Sequence, residues 1–130
     1  MKDIIAVLSL KAGLRYLGGV DELTIQESES KLNLKFSDEY KKYLSEFGLA
    51  SFSSTELTGI VTSKRLNVVD VTIDERSIDP DFPPNMYVVE MTDMEGLDIL
   101  QDEKGTIYEF VPFQGIKQVS SSLAEYLETK

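Results

Sequence analysis

Histidine and cysteine are both absent from the 130-residue sequence. Their absence excludes a Ser-His-Asp triad, a Cys-His pair, a thiolate nucleophile and a structural zinc site made of the usual ligands. Chemistry that needs only carboxylates is still permitted, either in a hydrolase or in a metal site with oxygen ligands. The residue inventory therefore leaves an enzyme few options, and we expect neither a metal nor a cofactor.

The sequence also lacks a long apolar run. The longest one, residues 4–8, is far shorter than the ~20 residues that span a bilayer, and no A-x-A cleavage site follows it. The missing cysteine suits a reducing compartment. At 130 residues the chain is most simply one domain, residues 1–130, burying roughly two thirds of its unfolded surface. We expect a soluble cytoplasmic protein with no membrane partner.

Basic residues are scarce: 13 Lys and Arg against 23 Asp and Glu give a net charge of −10. Nucleic acid is disfavoured as a direct ligand, because phosphate binding needs a cationic surface. Residues 1–65 hold nine acids and nine bases, whereas residues 66–130 hold fourteen acids and four bases. The whole excess lies in the second segment, which we call the sheet half for the strands predicted there.

Three apolar runs rich in Val, Ile, Tyr and Phe predict strands at residues 86–91, 97–100 and 106–113. The gaps of about four residues are too short for a parallel crossover, so we predict an antiparallel meander. The second gap, Asp-Glu-Lys-Gly, suits a type I turn that closes with Gly105 at positive φ. Neither face of the last run is cleanly polar, which predicts a sheet covered by helices on one side and partly wet on the other. Residues 115–119 can add an edge strand.

Helices are predicted on both sides of this meander. Apolar residues at three- and four-residue spacing predict a helix from Asp3 to about Leu17. Further helix N-caps are predicted at Thr24, Ser37, Thr72 and Ser122. Residues 49–55 predict a connector, residues 57–62 a strand and residues 67–71 an extended segment. The predicted fold class is α+β, with N-terminal helices, a central antiparallel β-sheet meander and a C-terminal helix.

Four segments, by their order and spacing, resemble the SUKH superfamily, which includes the yeast cell-wall-synthesis regulators and the YobK-like bacterial immunity proteins. The resemblance covers about residues 24–128. Its segments are the paired-helix residues Ile25, Glu29, Leu32, Phe36, Tyr40, Leu44 and Gly48; the run Asn67-Val68-Val69-Asp70-Val71-Thr72; residues 86–110 with Gly96-Leu97-Asp98 and Gly105-Thr106-Ile107-Tyr108-Glu109; and the ending Ser122-Leu123-Ala124-Glu125-Tyr126-Leu127. Phe36-Ser37 and Phe47-Gly48 depart from the Leu-Pro and Asn-Gly of many members, although Ser also suits a helix start.

The resemblance implies an α+β domain that acts by binding. Bacterial members commonly neutralise the toxins of neighbouring cells, often nucleases, whereas the yeast members are regulatory interaction proteins. The family supplies no catalytic residues that can be carried over, so we expect no enzyme activity. The favoured expectation is an immunity protein, or antitoxin, that occludes a cognate toxin such as a nuclease. The alternative is a regulatory protein-interaction module, and a carboxylate-dependent hydrolase is a distant third.

Two acidic clusters are candidate docking surfaces for a basic toxin domain. The first cluster has competing structural explanations, because helix dipoles, capping boxes and the turn before Pro80 account for several of its acids. Turns also recruit Asp for local hydrogen bonds, which explains individual members of the second. The first contains Asp70, Asp74, Glu75, Asp79 and Asp81, and the second contains Asp93, Glu95, Asp98, Asp102 and Glu103.

The predicted contact set combines acids of both clusters with an aromatic residue. Apolar anchors among the charges would supply affinity, with Tyr87, Met94 and Phe82 as candidates if they are exposed. We expect a protein partner and a protein that is itself a monomer or a weak homodimer. The predicted partner-binding residues are Asp93, Glu95, Asp98, Asp102, Glu103, Asp74, Asp81 and Tyr87.

Three other acidic features have weaker functional interpretations. Residues 93–98 could hold calcium, but they lack the spacing of an EF-hand loop, and a solvated turn is favoured. Glu90 and Glu109 could form an acid pair for glycoside chemistry, but cross-strand charges at the solvent face are the better account. Glu29 is interpreted as orienting the paired helices.

Overall fold

A computed structural model describes residues 2–92, 94 and 96–130 of the chain. Within those residues the order of elements confirms the α+β class, with helices first, a sheet meander in the middle and a helix last. None of the described helices combines the length and the apolar character that crossing a bilayer requires. The elements are α1 (Ile4–Ser9), β1 (Arg15–Tyr16), α2 (Glu22–Leu32), α3 (Asp38–Glu46), β2 (Ala50–Phe52), β3 (Thr55–Glu56), α4 (Val68–Ile78), β4 (Met86–Met91), β5 (Asp98–Asp102), β6 (Ile107–Val111), β7 (Gly115–Ser120) and α5 (Leu123–Glu128).

The predicted meander is confirmed as a four-stranded antiparallel sheet in the order β4-β5-β6-β7. The edge strand β7 covers the predicted residues 115–119 and one more. Gly105 closes the β5–β6 turn at φ +100°, as its sequence predicts. Asp102 supports this turn, because its Oδ1 accepts the backbone N–H groups of Lys104 and Thr106, each at 3.0 Å.

Three of the predicted helix N-caps are confirmed by hydrogen bonds to their side chains. Asp3 Oδ1 accepts the Ile5 N–H at the start of α1. Ser37 Oγ accepts the Tyr40 N–H of α3 at 3.0 Å, and Ser122 Oγ accepts the Glu125 N–H of α5 at 3.1 Å. These short polar side chains satisfy N–H groups that have no partner inside the helix.

The first two helices differ from their predicted limits. α1 ends at Ser9 instead of Leu17, since the chain turns at Gly13 with φ +75° and then pairs β1 with β2. α2 begins earlier than predicted, because Asp21 is its N-cap and accepts the Thr24 N–H at 2.8 Å. Thr24 is therefore inside the first turn of α2.

The largest correction concerns residues 67–78, predicted as an extended segment and a short helix. They form one helix, α4, capped by Asn67 through the N–H groups of Val69 and Asp70. Thr72 lies within it and is no N-cap. The β-branched residues of α4 favour a strand locally. In the fold, however, Val68 and Val71 are buried on the helix, and this packing overrides the local strand propensity.

The region before α4 also pairs differently from prediction. The predicted connector, residues 49–55, contains β2, and β3 occupies only Thr55–Glu56. β1, β2 and β3 form a small antiparallel sheet. In place of the strand predicted at residues 57–62, Leu57 makes an isolated bridge to Glu90, and the Thr58 N–H donates to the Val89 carbonyl at 2.9 Å.

Both faces of the four-stranded sheet are covered by apolar packing. One face meets α1, α2, α3 and α5 through a cluster that includes Tyr87, Val89, Ile99 and Ile107. The other face was predicted to be partly wet, but α4 and the segment after it cover much of it. That second cluster consists of Val71, Phe82, Met86, Val88, Leu100 and Phe110, with Tyr108 packed against it.

Candidate binding surface

The described acidic residues of the second predicted cluster, Asp98, Asp102 and Glu103, do not share one surface. β4 and β6 run in the same direction in the meander, so the β4–β5 and β6–β7 connections lie at one end of the sheet and the β5–β6 turn lies at the other. The five residues of β5 separate these ends by about 17 Å. Glu103 is exposed in the β5–β6 turn. Asp93 and Glu95 lie outside the described residues.

Asp98 and Asp102, two other predicted contact residues, are buried. Asp98 is 5% exposed on β5 and faces Glu75 of α4. Burial and the neighbouring Glu75 carboxyl raise the pKa of Asp98 to about 8. Asp102 is 8% exposed, and besides its turn hydrogen bonds it accepts the Tyr108 hydroxyl at 3.1 Å. Neither carboxyl group is available to a partner at the surface, so both predictions are wrong.

Two of the three predicted apolar anchors are also buried. Tyr87 is fully buried, its hydroxyl donates to Gln101 Oε1 at 2.8 Å, and its oxygen accepts the Ser37 N–H at 2.9 Å. The Phe82 ring packs edge-on against Phe110 with centroids 5.1 Å apart. Strand alternation placed Tyr87 on a sheet face, but only the packing of α3 shows that this face is internal. Met94 alone is exposed among the three.

Asp74 and Asp81 are exposed as a partner-binding role requires. Asp74 lies on α4, and Asp81 follows the end of that helix. Between them, Asp79 is only 2% exposed and has a structural function. Its Oδ1 accepts the Asp81 N–H at 2.9 Å, and its Oδ2 accepts the Phe113 N–H at 2.7 Å. Asp79 therefore fastens the β6–β7 turn to the end of α4.

Phe113 is an exposed aromatic residue that the sequence did not predict to be at the surface. The sequence placed it at the end of a strand, but β6 stops at Val111 and Phe113 lies in the following turn at φ +67°. Its side chain is 74% exposed. Pro112 before it and Gly115 after it are turn residues, and they are the signal that could have located this turn.

Little of the negative charge of the sheet half is compensated. Among the described residues, its acids form ion pairs in two places, Glu90 with Lys130 at 3.8 Å and Glu128 with Lys2 at 2.8 Å. The guanidinium group of Arg76 donates to backbone carbonyls instead, those of Leu32 at 2.9 Å and Pro84 at 3.2 Å. The exposed acids of this half therefore present a negative field to solvent.

Glu90 is not at a solvent face, which corrects the interpretation of the Glu90 and Glu109 pair. It is 3% exposed under α5, and its Oε1 accepts the Tyr126 hydroxyl at 2.7 Å. Burial, together with Glu90, raises the pKa of that hydroxyl. Because Tyr126 and Lys130 occupy the Glu90 carboxylate, the geometry gives it a structural role.

Glu29 has the structural role expected of it. Its Oε2 accepts the Phe36 N–H at 2.8 Å and so fixes the connection between α2 and α3. The groove between these helices, about 750 Å³, is open and mixes opposite charges such as Glu22, Lys35 and Lys41. In the part of the chain that the structure describes, no group of three or more Asp or Glu side chains is placed to hold a metal ion. Asp93 and Glu95, two acids of the segment considered as a calcium site (residues 93–98), lie outside the described residues.

Comparison with known proteins rests on one family model. No curated protein matches the chain. The model of the SUKH_5 family, described as SMI1-KNR4 cell-wall, matches residues 1–130. The match covers the whole sequence, including α1 and β1, which precede the segments that carried the resemblance. The chain therefore belongs to the SUKH_5 family of the SUKH superfamily.

Proposed function

We propose that this protein is an immunity protein. It binds the toxin domain delivered by a competing cell, in the cytoplasm of the cell that makes the immunity protein, and neutralises that domain by occlusion. It acts stoichiometrically and without catalysis of its own, and the toxin is a nuclease or another protein with a basic active site. Membership of the SUKH superfamily fits this role. The observation that carries the proposal is the uncompensated charge of the sheet half, fourteen acids against four bases.

Charge gives such a surface its selectivity for a nuclease. Nuclease sites hold phosphates with Lys and Arg, and an acidic protein surface competes for the same side chains. Asp74, Asp81 and Glu103 are exposed and form no ion pair with another described residue. No described cation therefore has to be displaced from them before a basic partner meets them.

Exposed charges act mainly on the rate of association. Each surface ion pair contributes only about 0–1 kcal/mol, whereas a field of one sign steers encounter and raises the association rate. At physiological salt the Debye length is ~8 Å. Association should therefore slow as salt rises, while dissociation, which depends on the packed contacts, changes little.

The test is inhibition of a candidate toxin domain, the C-terminal domain of a large secreted protein encoded beside the gene of this chain. Titrating the purified protein into that domain should abolish its activity at one equivalent, and the complex should elute as one species. Protection at far less than one equivalent would indicate catalysis and contradict the non-enzymatic mechanism. An absence of both binding and protection would overturn the proposal.

A regulatory interaction module is the second candidate. The family description, SMI1-KNR4 cell-wall, favours it, because it refers to cell-wall proteins and not to toxins. The two roles predict different partners. An immunity protein binds a toxin domain of foreign origin and protects cells from it, whereas a regulator binds a protein of its own cell and its deletion alters cell-wall growth in the absence of any toxin.

A further inference from the structure

Phe113 occupies a backbone conformation that suits glycine. At φ +67° it is in the left-handed region, where a bulky side chain is rare and costs free energy. Strain of this kind persists only where the surrounding structure enforces it. Here the buried Asp79 carboxylate accepts the Phe113 N–H at 2.7 Å, and the Gln114 N–H donates to the Val111 carbonyl at 3.0 Å. The fold therefore holds this turn firmly.

The fold gains little from the ring that it holds there. The Phe113 side chain is 74% exposed, so it adds almost nothing to the hydrophobic core. Glycine or asparagine would suit the same backbone at lower cost. An aromatic residue that is strained, fixed and exposed is more useful to an interface than to the monomer, because large rigid rings are typical binding hot spots.

One further exposed apolar side chain, Ile116, lies beside this turn. The register of the sheet places Met91, Asp98, Phe110 and Ile116 in one row across the four strands. The two residues at the ends of the row are exposed, Met91 on β4 by 45% and Ile116 on β7 by 44%. This row ends next to the turn that carries Phe113. Met91 is three strands away from Ile116, about 14 Å, and the buried Asp98 and Phe110 lie between them. The exposed apolar surface at the turn therefore consists of Phe113 and Ile116, which we call the Phe113 patch.

The segment that holds this turn is acidic, with Asp74 and Asp81 exposed on it and Asp79 buried. Residues 70–81, which include most of α4 and the segment that holds the turn through Asp79, carry five acids and one base. The base, Arg76, is occupied by the carbonyls of Leu32 and Pro84. The Phe113 patch is therefore held by a negatively charged segment, and the surface that complements both has an apolar pocket with Lys or Arg near it.

We propose that the Phe113 patch is the apolar anchor of the interface with the basic partner, and that the Phe113 ring enters a pocket of that partner. The inference rests on the proposed function and specifies its contact site. A second copy of this chain fits poorly as the occupant, because two copies of the same acidic segment repel each other. The acids set the association rate, whereas Phe113 determines how long the complex lasts.

The experiment compares Phe113→Gly and Phe113→Asn with Leu23→Ala, using the toxin domain encoded beside the gene as the probe. Gly and Asn both tolerate positive φ, so the two variants remove the ring without disturbing the turn. Leu23 is a matched control, since it is 65% exposed on α2, away from the patch. The dissociation constant is measured by calorimetry and the midpoint of thermal unfolding by circular dichroism.

We expect both Phe113 variants to weaken binding by about thirtyfold or more, chiefly through faster dissociation. The Leu23→Ala control should stay within about threefold of the original protein. The midpoint of unfolding of Phe113→Gly should equal or exceed that of the original protein, since the strain is relieved. A gain in stability that accompanies a loss of affinity distinguishes a binding residue from a structural one.

Four results would overturn the inference. Binding of the probe that is unchanged in both Phe113 variants would reject the anchor and leave the proposed function intact. Failure of the original protein to bind the probe would reject both. A lower midpoint of unfolding in both Phe113 variants would show that the ring is structural. Self-association in analytical ultracentrifugation that Phe113→Gly abolishes would assign the patch to a second copy of the chain.

Discussion

The carboxylate of Glu39 in α3 accepts the backbone N–H of Leu123, the first residue of α5, at 2.7 Å. The same carboxylate accepts the Ala124 N–H at 3.0 Å and the Gln101 side-chain amide of β5 at 2.8 Å. Helix termini leave such N–H groups without partners inside the helix. One half-buried side chain therefore joins the N-terminal helices, the central sheet and the C-terminal helix.

Replacing Glu39 tests this junction. Glu39→Gln loses the negative charge and one acceptor oxygen, so at least one N–H group of α5 is left without its partner. We expect a loss of about 1–3 kcal/mol in the free energy of unfolding, measured with urea. Asp38→Asn is the matched control, because it also removes one charge from the first turn of α3 but its side chain is exposed. Equal losses in the two variants would show that the effect comes from the helix dipole.

Thr72 joins α4 to the sheet through its hydroxyl group. The residue is fully buried, and its Oγ1 accepts the Val88 N–H at 3.1 Å. Thr72→Val keeps the shape but leaves a buried N–H unsatisfied, and we expect a cost of about 1–3 kcal/mol in urea unfolding. Thr72→Ser keeps the acceptor and should cost less. A greater loss for Ser than for Val would assign the role to the methyl group.

Gly105 is required by the turn between β5 and β6. A Cβ there would meet only ordinary contacts, the nearest being Gln101 Nε2 at 3.8 Å, so the penalty comes from φ +100° and not from a clash. Gly105→Val should destabilise the protein by more than ~1 kcal/mol, because a β-branched residue cannot relieve this strain. Gly105→Asn should cost less. An unchanged melting temperature for Gly105→Val would contradict the turn geometry.

The buried carboxyl group of Asp98 makes stability depend on pH. Its pKa is raised from an ordinary 3.8 to about 8, so between these values the folded protein holds a proton that the unfolded chain releases. Stability should therefore fall as pH rises from about 4 to about 8, by at most about 1.4 kcal/mol for each pH unit.

Asp98→Asn isolates the contribution of this group. The variant should show a flatter dependence of the free energy of unfolding on pH and should gain at least about 1 kcal/mol over the original protein at pH 8. Urea unfolding at pH 5 and at pH 8 measures both quantities. Because the residue is buried, the rate of association with the partner should not change. An identical pH dependence in the variant would rule out Asp98 as the source.

The exposed acids of the sheet half should control the association rate. Asp74→Lys combined with Asp81→Lys should slow association with the toxin domain by about tenfold at low salt, and by less as salt screens the field. The control changes the same amount of charge in residues 1–65, by replacing the exposed Glu22 and Glu46 with Lys. Stopped-flow fluorescence measures both. Equal slowing would mean that net charge matters and its position does not.

The sequence by itself determined the elements whose signals are local. The meander, the Gly105 turn and the caps at Asp3, Ser37 and Ser122 follow from strand propensity, short gaps and side chains that bond to their own backbone. Composition likewise determined that the negative charge lies in the sheet half. Such features need no knowledge of distant residues, and so they were predictable.

Tertiary structure decided the features that depend on distant contacts. α4 is helical because its Val side chains pack on the sheet, although locally they favour a strand. Asp74 and Asp98 look alike in sequence, but only Asp98 is buried. α4 packs over Asp98, whereas Asp74 lies on the side of α4 that faces solvent. The exposure of Phe113 depends on Asp79, thirty-four residues away, whose buried carboxylate holds the turn. Burial is set by what the rest of the chain brings against a residue, and no local pattern contains that information.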